Sequence, residues 1–144
     1  MKKGMLPLVT LFLFFIVSST ALCDDYIERP AYLVYESGCT DLTLDGYGCN
    51  YVTSGSNEGT VTAYIRIKSY VRNPGAVCFF VIVNSSSGEI LYQTKRNFNI
   101  KGMGEPERCF CRTPAWDNEN VTAYIGIDCY GTMMIDDFIS NYVK

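Results

Sequence analysis

The sequence contains no histidine, and it has only one tryptophan among 144 residues. The absence of histidine excludes the Ser–His and Cys–His pairs on which most nucleophilic catalysis depends. A pair of carboxylates can support other hydrolytic chemistry, but the 15 Asp and Glu residues form no recognisable catalytic signature. We therefore predict that the protein is not an enzyme.

Runs of basic residues are also lacking. The chain has 12 Lys and Arg against 15 Asp and Glu, which gives a net charge of −3. After the N-terminal lysines, Lys95–Arg96 is the only adjacent basic pair, and we interpret it as part of a solvated strand face. An acidic chain without a basic cluster favours neither nucleic acid nor an anionic membrane as partner.

One long hydrophobic run is present, MLPLVTLFLFFIV at residues 5–17. It is shorter than the roughly 20 residues of a membrane-spanning helix. Lys2 and Lys3 precede it and the small, polar segment SSTALC follows it, which is the pattern of a secretory signal peptide. We predict a signal peptide over residues 1–23, cleaved after Ala21 or Cys23, and a secreted single domain over 24–144 that does not associate with membranes.

Cysteine is abundant, with seven residues in the chain. Cleavage after Cys23 leaves six, and in a secreted chain we expect them to form disulfides; they are Cys39, Cys49, Cys78, Cys109, Cys111 and Cys129. Cys39 and Cys49 bracket a short segment that they could close. Cys109 and Cys111 share one face of a strand and cannot easily bond to each other, so Cys78 and Cys129 are their expected partners, in an order that the sequence leaves open. The expected state is a monomer, or a dimer if Cys23 is retained.

Two segments, VTAYIRIKSY at 61–70 and VTAYIGIDCY at 121–130, are identical at seven of ten positions. Apolar and polar residues alternate in both, as in half-buried strands. The similarity stops at Tyr70 and Tyr130, whereas a duplicated unit would carry it further. We interpret them as two strands of one domain.

Further strands are predicted over 31–36, 78–83, 89–100, 107–112 and 132–140, of which CFFVIV at 78–83 is apolar enough to be buried on both faces. Turn signals separate them, and no amphipathic helix longer than a turn is apparent. The expected fold is an all-β, disulfide-stabilised antiparallel β-sandwich of jelly-roll or immunoglobulin-like type.

Asp136 and Asp137 lie between apolar residues in MMIDDFI. Adjacent strand residues point to opposite faces, so one carboxylate would point inward and need a partner such as calcium. The alternative is an edge strand on which both carboxylates contact water.

The segment Gly131–Phe138, GTMMIDDF, resembles the last strand of galactose-binding-like jelly rolls of the carbohydrate-binding-module type. The preceding segment VTAYIGIDCYG is similar to the penultimate strand of that family. The resemblance implies a structural calcium ion held in part by Asp136 and sugar recognition by aromatic side chains. The opening acidic motif of the family has no clear counterpart here.

Aromatic residues supply the candidate ligand-binding positions, which are Trp116, Tyr64, Tyr124 and Tyr130. Trp116 lies in the polar loop at 113–120, where it contacts a ligand or anchors the loop. The tyrosines point outward from the repeated strands, where cross-strand packing is the alternative role. Asn84 and Asn120 each begin an Asn-X-Ser/Thr sequon and are candidate glycosylation sites.

Together these features favour a secreted, non-catalytic binding module that recognises an extracellular glycan or protein through loops and an aromatic face. One alternative is a secreted effector or immune-modulating protein that binds a receptor. Another is a small lipid-carrying sandwich whose core is lined by Phe79, Phe80 and Phe98.

Overall fold

A computed structural model describes residues 23–144, so the predicted signal peptide lies outside the described residues except for Cys23. The described chain forms β1 (Asp25–Arg29), β2 (Ala31–Ser37), β3 (Leu42–Ser54), β4 (Val61–Ser69), β5 (Asn73–Asn84), β6 (Ile90–Ile100), β7 (Pro106–Arg112), β8 (Val121–Asp128) and the helix α1 (Ile135–Tyr142).

The strands form two four-stranded sheets that pack face to face. Sheet I has the order β1-β3-β4-β7, and sheet II has the order β2-β8-β5-β6. The predicted β-sandwich is therefore confirmed. Five of the six strand pairs are antiparallel, and β2 pairs with β8 in parallel. The chain passes from sheet I to sheet II at Pro30, whose missing N–H ends the pairing of β1 with β3.

The two similar segments are β4 and β8, central strands of different sheets. Alternate residues of both point into the core between the sheets and are fully buried, as predicted: Val61, Ala63, Ile65, Ile67, Val121, Ala123, Ile125 and Ile127. The sequence similarity thus reflects the same structural role in two facing sheets. The outward face of β8 differs from the prediction, because Asp128 and Gly126 are buried there.

Strand β5 is buried on both faces, which confirms the interpretation of its apolar run. Cys78, Phe80 and Ile82 contribute to the core between the sheets. Phe79 and Val81 contribute to a second, smaller core on the outer side of sheet II. The three phenylalanines of the lipid-carrier hypothesis consequently do not line one cavity, since Phe79 points away from the inter-sheet core.

The prediction of a final strand over 132–140 is wrong, because residues 135–142 form helix α1. Apolar residues at spacings of three and four, Ile135, Phe138, Ile139 and Tyr142, give this helix the apolar face that packs on sheet II. Phe138 is fully buried and stacks on Phe79 with ring centroids 4.8 Å apart. Gly126 provides the space for the Phe138 ring.

Within residues 23–144 one disulfide is formed, between Cys39 and Cys129. The expected bond between Cys39 and Cys49 is wrong, because residues 42–49 are extended in β3. The seven steps from residue 42 to residue 49 of the strand span about 23 Å, far more than a disulfide can bridge. The expectation that Cys129 pairs with Cys109 or Cys111 is also wrong, because Cys129 is bonded to Cys39.

Four other thiols are buried in the core between the sheets, those of Cys49, Cys78, Cys109 and Cys111. Burial raises the pKa of Cys49 to about 12, with Cys111 adding to the rise and Arg29 opposing it. Burial also raises the pKa of Cys111 to about 11. Both groups are therefore neutral thiols at physiological pH.

No helix within residues 23–144 is long and apolar enough to cross a membrane.

Removing the Phe138 ring should detach the helix from sheet II. For Phe138→Ala we expect the free energy of unfolding to fall by about 3–5 kcal/mol, because a fully buried aromatic side chain is lost. Urea unfolding measures the change. Met134→Ala is the control, since Met134 is exposed just before the helix and should change stability by about 0.5 kcal/mol or less. Equal losses for the two variants would contradict the described packing.

Candidate functional site at the loop end of the sandwich

The structure does not bring the four predicted ligand-binding residues together. Tyr64 lies on the outer face of sheet I. Tyr124 lies on the outer face of sheet II, where its ring contacts Tyr32 and its hydroxyl donates to the carbonyl oxygen of Lys144 at 3.3 Å. Tyr130 follows β8 in a connecting segment.

Trp116 has the contacts of a loop anchor. Its backbone N–H donates to the carbonyl oxygen of Gly59 at 2.7 Å, and its own carbonyl oxygen accepts from the hydroxyl of Tyr51 at 3.1 Å. The half-buried indole packs against the core and lies edge-on to Tyr92. These contacts fix the β7–β8 connection.

Asp136 is exposed in the first turn of α1, next to the equally exposed Asp137. The inward-pointing carboxylate expected from a strand is absent because the strand itself is not formed. Among the described residues, no three His, Cys, Asp or Glu side chains are grouped so that they could hold a metal ion.

Both sequons lie at the same end of the sandwich. Asn84 ends β5, and Asn120 precedes β8. The two are close, since the Nδ2 of Asn120 donates to the hydroxyl of Ser86 at 2.6 Å. Glycans at either asparagine would project from this end, which also holds Trp116.

The opposite end of the sandwich is made of four connecting segments, 38–41, 70–72, 101–105 and 129–134, which we call the loop end. Strand pairing places them together, because the adjoining strand termini are paired or neighbouring: Ser37 with Asp128, Leu42 with Ser69, Lys68 with Pro106, and Asn73 with Ile100.

Large apolar side chains are exposed on the loop end. They come from three of its four segments, and their exposed fractions are 78% for Tyr70, 44% for Val71, 75% for Met103, 71% for Tyr130 and 63% for Met134. Single exposed apolar residues are ordinary on protein surfaces, but a group of them on adjacent loops is typical of an interaction site.

Two tyrosine rings rest on glycines of neighbouring segments. The ring of Tyr130 lies over Gly38, and the ring of Tyr70 lies over Gly104. Both glycines have positive φ angles, 71° and 77°, and a Cβ at either position would collide with the ring. Each contact therefore requires glycine for two reasons: glycine adopts the positive φ angle, and it has no Cβ to collide with the ring.

Asp128 holds the segment that follows β8. Its carboxylate is almost fully buried and accepts hydrogen bonds from three backbone N–H groups, those of Tyr130 at 3.0 Å, Thr132 at 3.0 Å and Met133 at 2.9 Å. The Nζ of Lys95 donates to the carbonyl oxygen of Met133 at 2.8 Å. Segment 129–134 is thereby fixed to sheet II.

A second carboxylate holds the β6–β7 connection. Glu107 accepts from the backbone N–H groups of Lys101 at 2.7 Å and Gly102 at 3.3 Å. Beside it, a cleft of about 350 Å³ opens between β6 and β7, lined in part by Phe98 and Met103. The cleft adjoins the loop end and is wide enough for one side chain of a partner.

The segments are also tied to each other. The Cys39–Cys129 disulfide joins 38–41 to 129–134. The N–H of Gly104 donates to the carbonyl oxygen of Ser69 at 2.8 Å, and the Nδ2 of Asn73 donates to the carbonyl oxygen of Cys129 at 2.8 Å. The loop end is thus a rigid surface, although it is made of connections.

Among the five exposed apolar residues of the loop end, only Tyr130 is one of the ligand-binding candidates predicted from the sequence. Met103 belongs to no motif, and Met134 lies in GTMMIDDF, where only the aspartates drew attention; the strand order places both methionines on the same end of the sandwich as Tyr70 and Tyr130. The sequence contained one signal for this surface, the glycines of 101–105 and 130–131. Glycine favours tight turns, and large apolar residues next to a tight turn are exposed.

No family model, curated protein or solved structure matches the chain. The interpretation of the loop end therefore rests on its geometry alone.

Replacing Asp128 should loosen the loop end while the sandwich stays folded. For Asp128→Asn we expect a loss of about 1–3 kcal/mol in the free energy of unfolding, because the amide cannot replace a carboxylate that accepts three buried hydrogen bonds. Hydrogen exchange should accelerate at the amides of residues 130–133. Asp137→Asn, at an exposed helix position, should change neither quantity. Unchanged exchange in Asp128→Asn would refute the role of the carboxylate.

Proposed function

We propose that the protein is a secreted, non-catalytic binding protein that docks its loop end onto an extracellular protein. The observation that carries this proposal is the group of five exposed apolar side chains on loops that a disulfide and hydrogen bonds to the buried Asp128 carboxylate hold in place. Secretion is supported by the disulfide and by the signal-peptide pattern at residues 1–23.

The composition of the loop end favours a protein as the partner. Tyrosine, methionine and arginine are enriched in protein–protein interfaces, and here Tyr70, Tyr130, Met103 and Met134 share the loop end with the exposed Arg72. Methionine and valine side chains offer no hydrogen bonds to sugar hydroxyls, whereas they adapt well to the apolar surface of another protein. A glycan ligand at this end is the less favoured alternative.

The rigidity of the loops supports the same proposal. Ordering a flexible loop on binding costs free energy, so a surface that is already fixed binds more tightly for the same contacts. The carboxylates of Asp128 and Glu107 fix two of the four segments before any partner arrives. The sequons lie at the opposite end, so glycosylation would leave the loop end accessible.

A display library of extracellular protein domains, probed with the tetramerised mature protein, tests the proposal. For a domain that binds, the variant Tyr70→Ser/Met103→Ser/Tyr130→Ser should weaken Kd at least about 30-fold, since the loss of one interface hot spot costs about 2 kcal/mol. Thermal unfolding of the variant checks that it remains folded.

The control removes three exposed apolar side chains elsewhere, in Tyr26→Ser/Tyr32→Ser/Ile90→Ser. It should bind with unchanged Kd. Binding that is lost in the control and retained in the loop-end variant would contradict the proposal and move the site to the strands of the sandwich.

A further inference from the structure

The outer face of sheet I combines positive charge with aromatic rings. Strands β4 and β7 are paired so that Arg66 lies opposite Arg108 and Tyr64 lies opposite Phe110. Because Ile65 and Cys109 point into the core, these four side chains point outward. Lys68 and Arg112 are exposed in the same alternation. We call this surface, formed by Tyr64, Arg66, Lys68, Arg108, Phe110 and Arg112, the cationic face.

The charges of the cationic face are mostly unbalanced. Arg66 bonds to Asp45 through Nε at 2.9 Å, and this is the one salt bridge within residues 23–144. Arg108 instead lies over Phe110, 4.6 Å from the ring centroid, and 5.9 Å from that of Tyr64. Because Asp45 already balances Arg66, Arg108 and Arg112 are the guanidinium groups of this face that can bind an added anion.

Glycines in β3 flatten this face. Gly46 and Gly48 pair with Arg66 and Tyr64. A Cβ at Gly48 would lie 2.9 Å from the hydroxyl oxygen of Tyr64, and one at Gly46 would lie 3.3 Å from a guanidinium nitrogen of Arg66. Both side chains therefore lie across β3, and the result is a shallow aromatic surface between guanidinium groups.

We propose that the cationic face binds an anionic polysaccharide, through sugar rings stacked on Tyr64 and Phe110 and carboxylate or sulfate groups held by Arg108 and Arg112. Guanidinium groups bind such oxyanions through paired N–H donors. A shallow open face suits an extended polymer. An acidic peptide that adds to a sheet lies along an edge strand, which here is β7, whereas the paired rings of Tyr64 and Phe110 lie on the face of the sheet.

The probes are fluorescein-labelled heparin, which is sulfated, and hyaluronan, which carries carboxylates alone. We expect the folded mature protein to bind at least one of them, and the pair distinguishes the two anionic groups. Arg108→Ser/Arg112→Ser should weaken Kd at least tenfold and reduce its dependence on salt, because fewer counterions are exchanged. Lys101→Ser/Lys144→Ser, which removes two cations elsewhere, should change Kd less than twofold.

Phe110→Ser distinguishes the contribution of ring stacking from that of charge. It removes a ring and no charge, so Kd should weaken several-fold while its dependence on salt stays unchanged. Failure of the folded protein to bind either polysaccharide overturns the proposal, as does an equal loss in the lysine control. Equal affinity for poly-L-glutamate overturns it in favour of an acidic peptide. The loop-end variant Tyr70→Ser/Met103→Ser/Tyr130→Ser should bind the polysaccharide normally, so this proposal and the proposed function fail independently.

A separate observation concerns the buried thiols. Cys78 on β5 of sheet II and Cys109 on β7 of sheet I are both buried in the core between the two facing sheets, and the neighbouring Cys109 thiol together with burial raises the pKa of Cys78. Cys49 and Cys111 do not meet in this way, because Ala63 of β4 lies between them and pairs with Cys49 on one side and with Cys111 on the other. Two strand spacings separate their Cα atoms by about 9.5 Å, beyond the reach of a disulfide.

We infer that Cys78 and Cys109 are a site of oxidation to a second disulfide, which links the two sheets. The reaction with oxidised glutathione converts two protein thiols and one glutathione disulfide into a protein disulfide and two molecules of glutathione. The protein loses two electrons, and glutathione gains them together with the two thiol protons. Because both thiols are buried, exchange takes place during folding.

Refolding the reduced mature chain in a glutathione redox buffer, followed by alkylation in denaturant and peptide mass spectrometry without reduction, tests this inference. We expect linked peptides for Cys39–Cys129 and Cys78–Cys109 and alkylation of Cys49 and Cys111. Alkylation of both Cys78 and Cys109 would overturn the inference, as would a linked Cys49–Cys111 peptide. The double variant Cys78→Ala/Cys109→Ala should refold with the Cys39–Cys129 bond intact and two alkylated cysteines.

Discussion

The burial of β5 on both faces is the constraint on which the rest of the structure depends. One side of the strand completes the core between the sheets, and the other side is apolar enough to require a cover. Helix α1 provides that cover by stacking Phe138 on Phe79. As a result the outer face of sheet II is occupied, whereas the outer face of sheet I remains open to solvent.

The connection to the helix also explains the loop end. The chain leaves β8 inside sheet II and must turn over the sheet to reach the start of α1. Asp128 makes this turn possible by accepting three backbone hydrogen bonds within five residues, and the disulfide at Cys129 fixes its start. The hydrogen bonds of this turn hold its backbone, and the side chains of Tyr130 and Met134 are left exposed to solvent.

The sequence predicted the sandwich because its strongest signals are local. Alternation in 61–70 and 121–130 and the apolar run at 78–83 each depend on neighbours one or two positions away. The prediction failed at 132–140, because the apolar pattern of TMMIDDFIS is compatible with both a strand and a helix. The helix is favoured because it packs Phe138 against Phe79. Two strands, β1 and β3, were missed because polar residues and glycines interrupt their alternation.

Structural properties that depend on residues far apart in the sequence could not be predicted from the sequence. The partner of Cys39 is 90 residues away, and the choice of Cys129 follows from the parallel pairing of β2 with β8. The cationic face has the same origin, since Arg66 and Arg108 are neighbours only because β4 pairs with β7. The absence of a basic run in the sequence was therefore a poor guide to the surface of the folded chain.

We propose two separate binding surfaces on this protein, the rigid apolar loop end for a protein partner and the open cationic face for a polymer. The first of these is the central claim, and photo-crosslinking from single positions tests it most directly. A benzophenone side chain placed at residue 70 or 130 should give a discrete protein adduct with an extracellular domain selected for binding. The same group at the exposed tyrosine positions 26 and 32 should give none. Adducts from positions 26 and 32 alone would contradict the account.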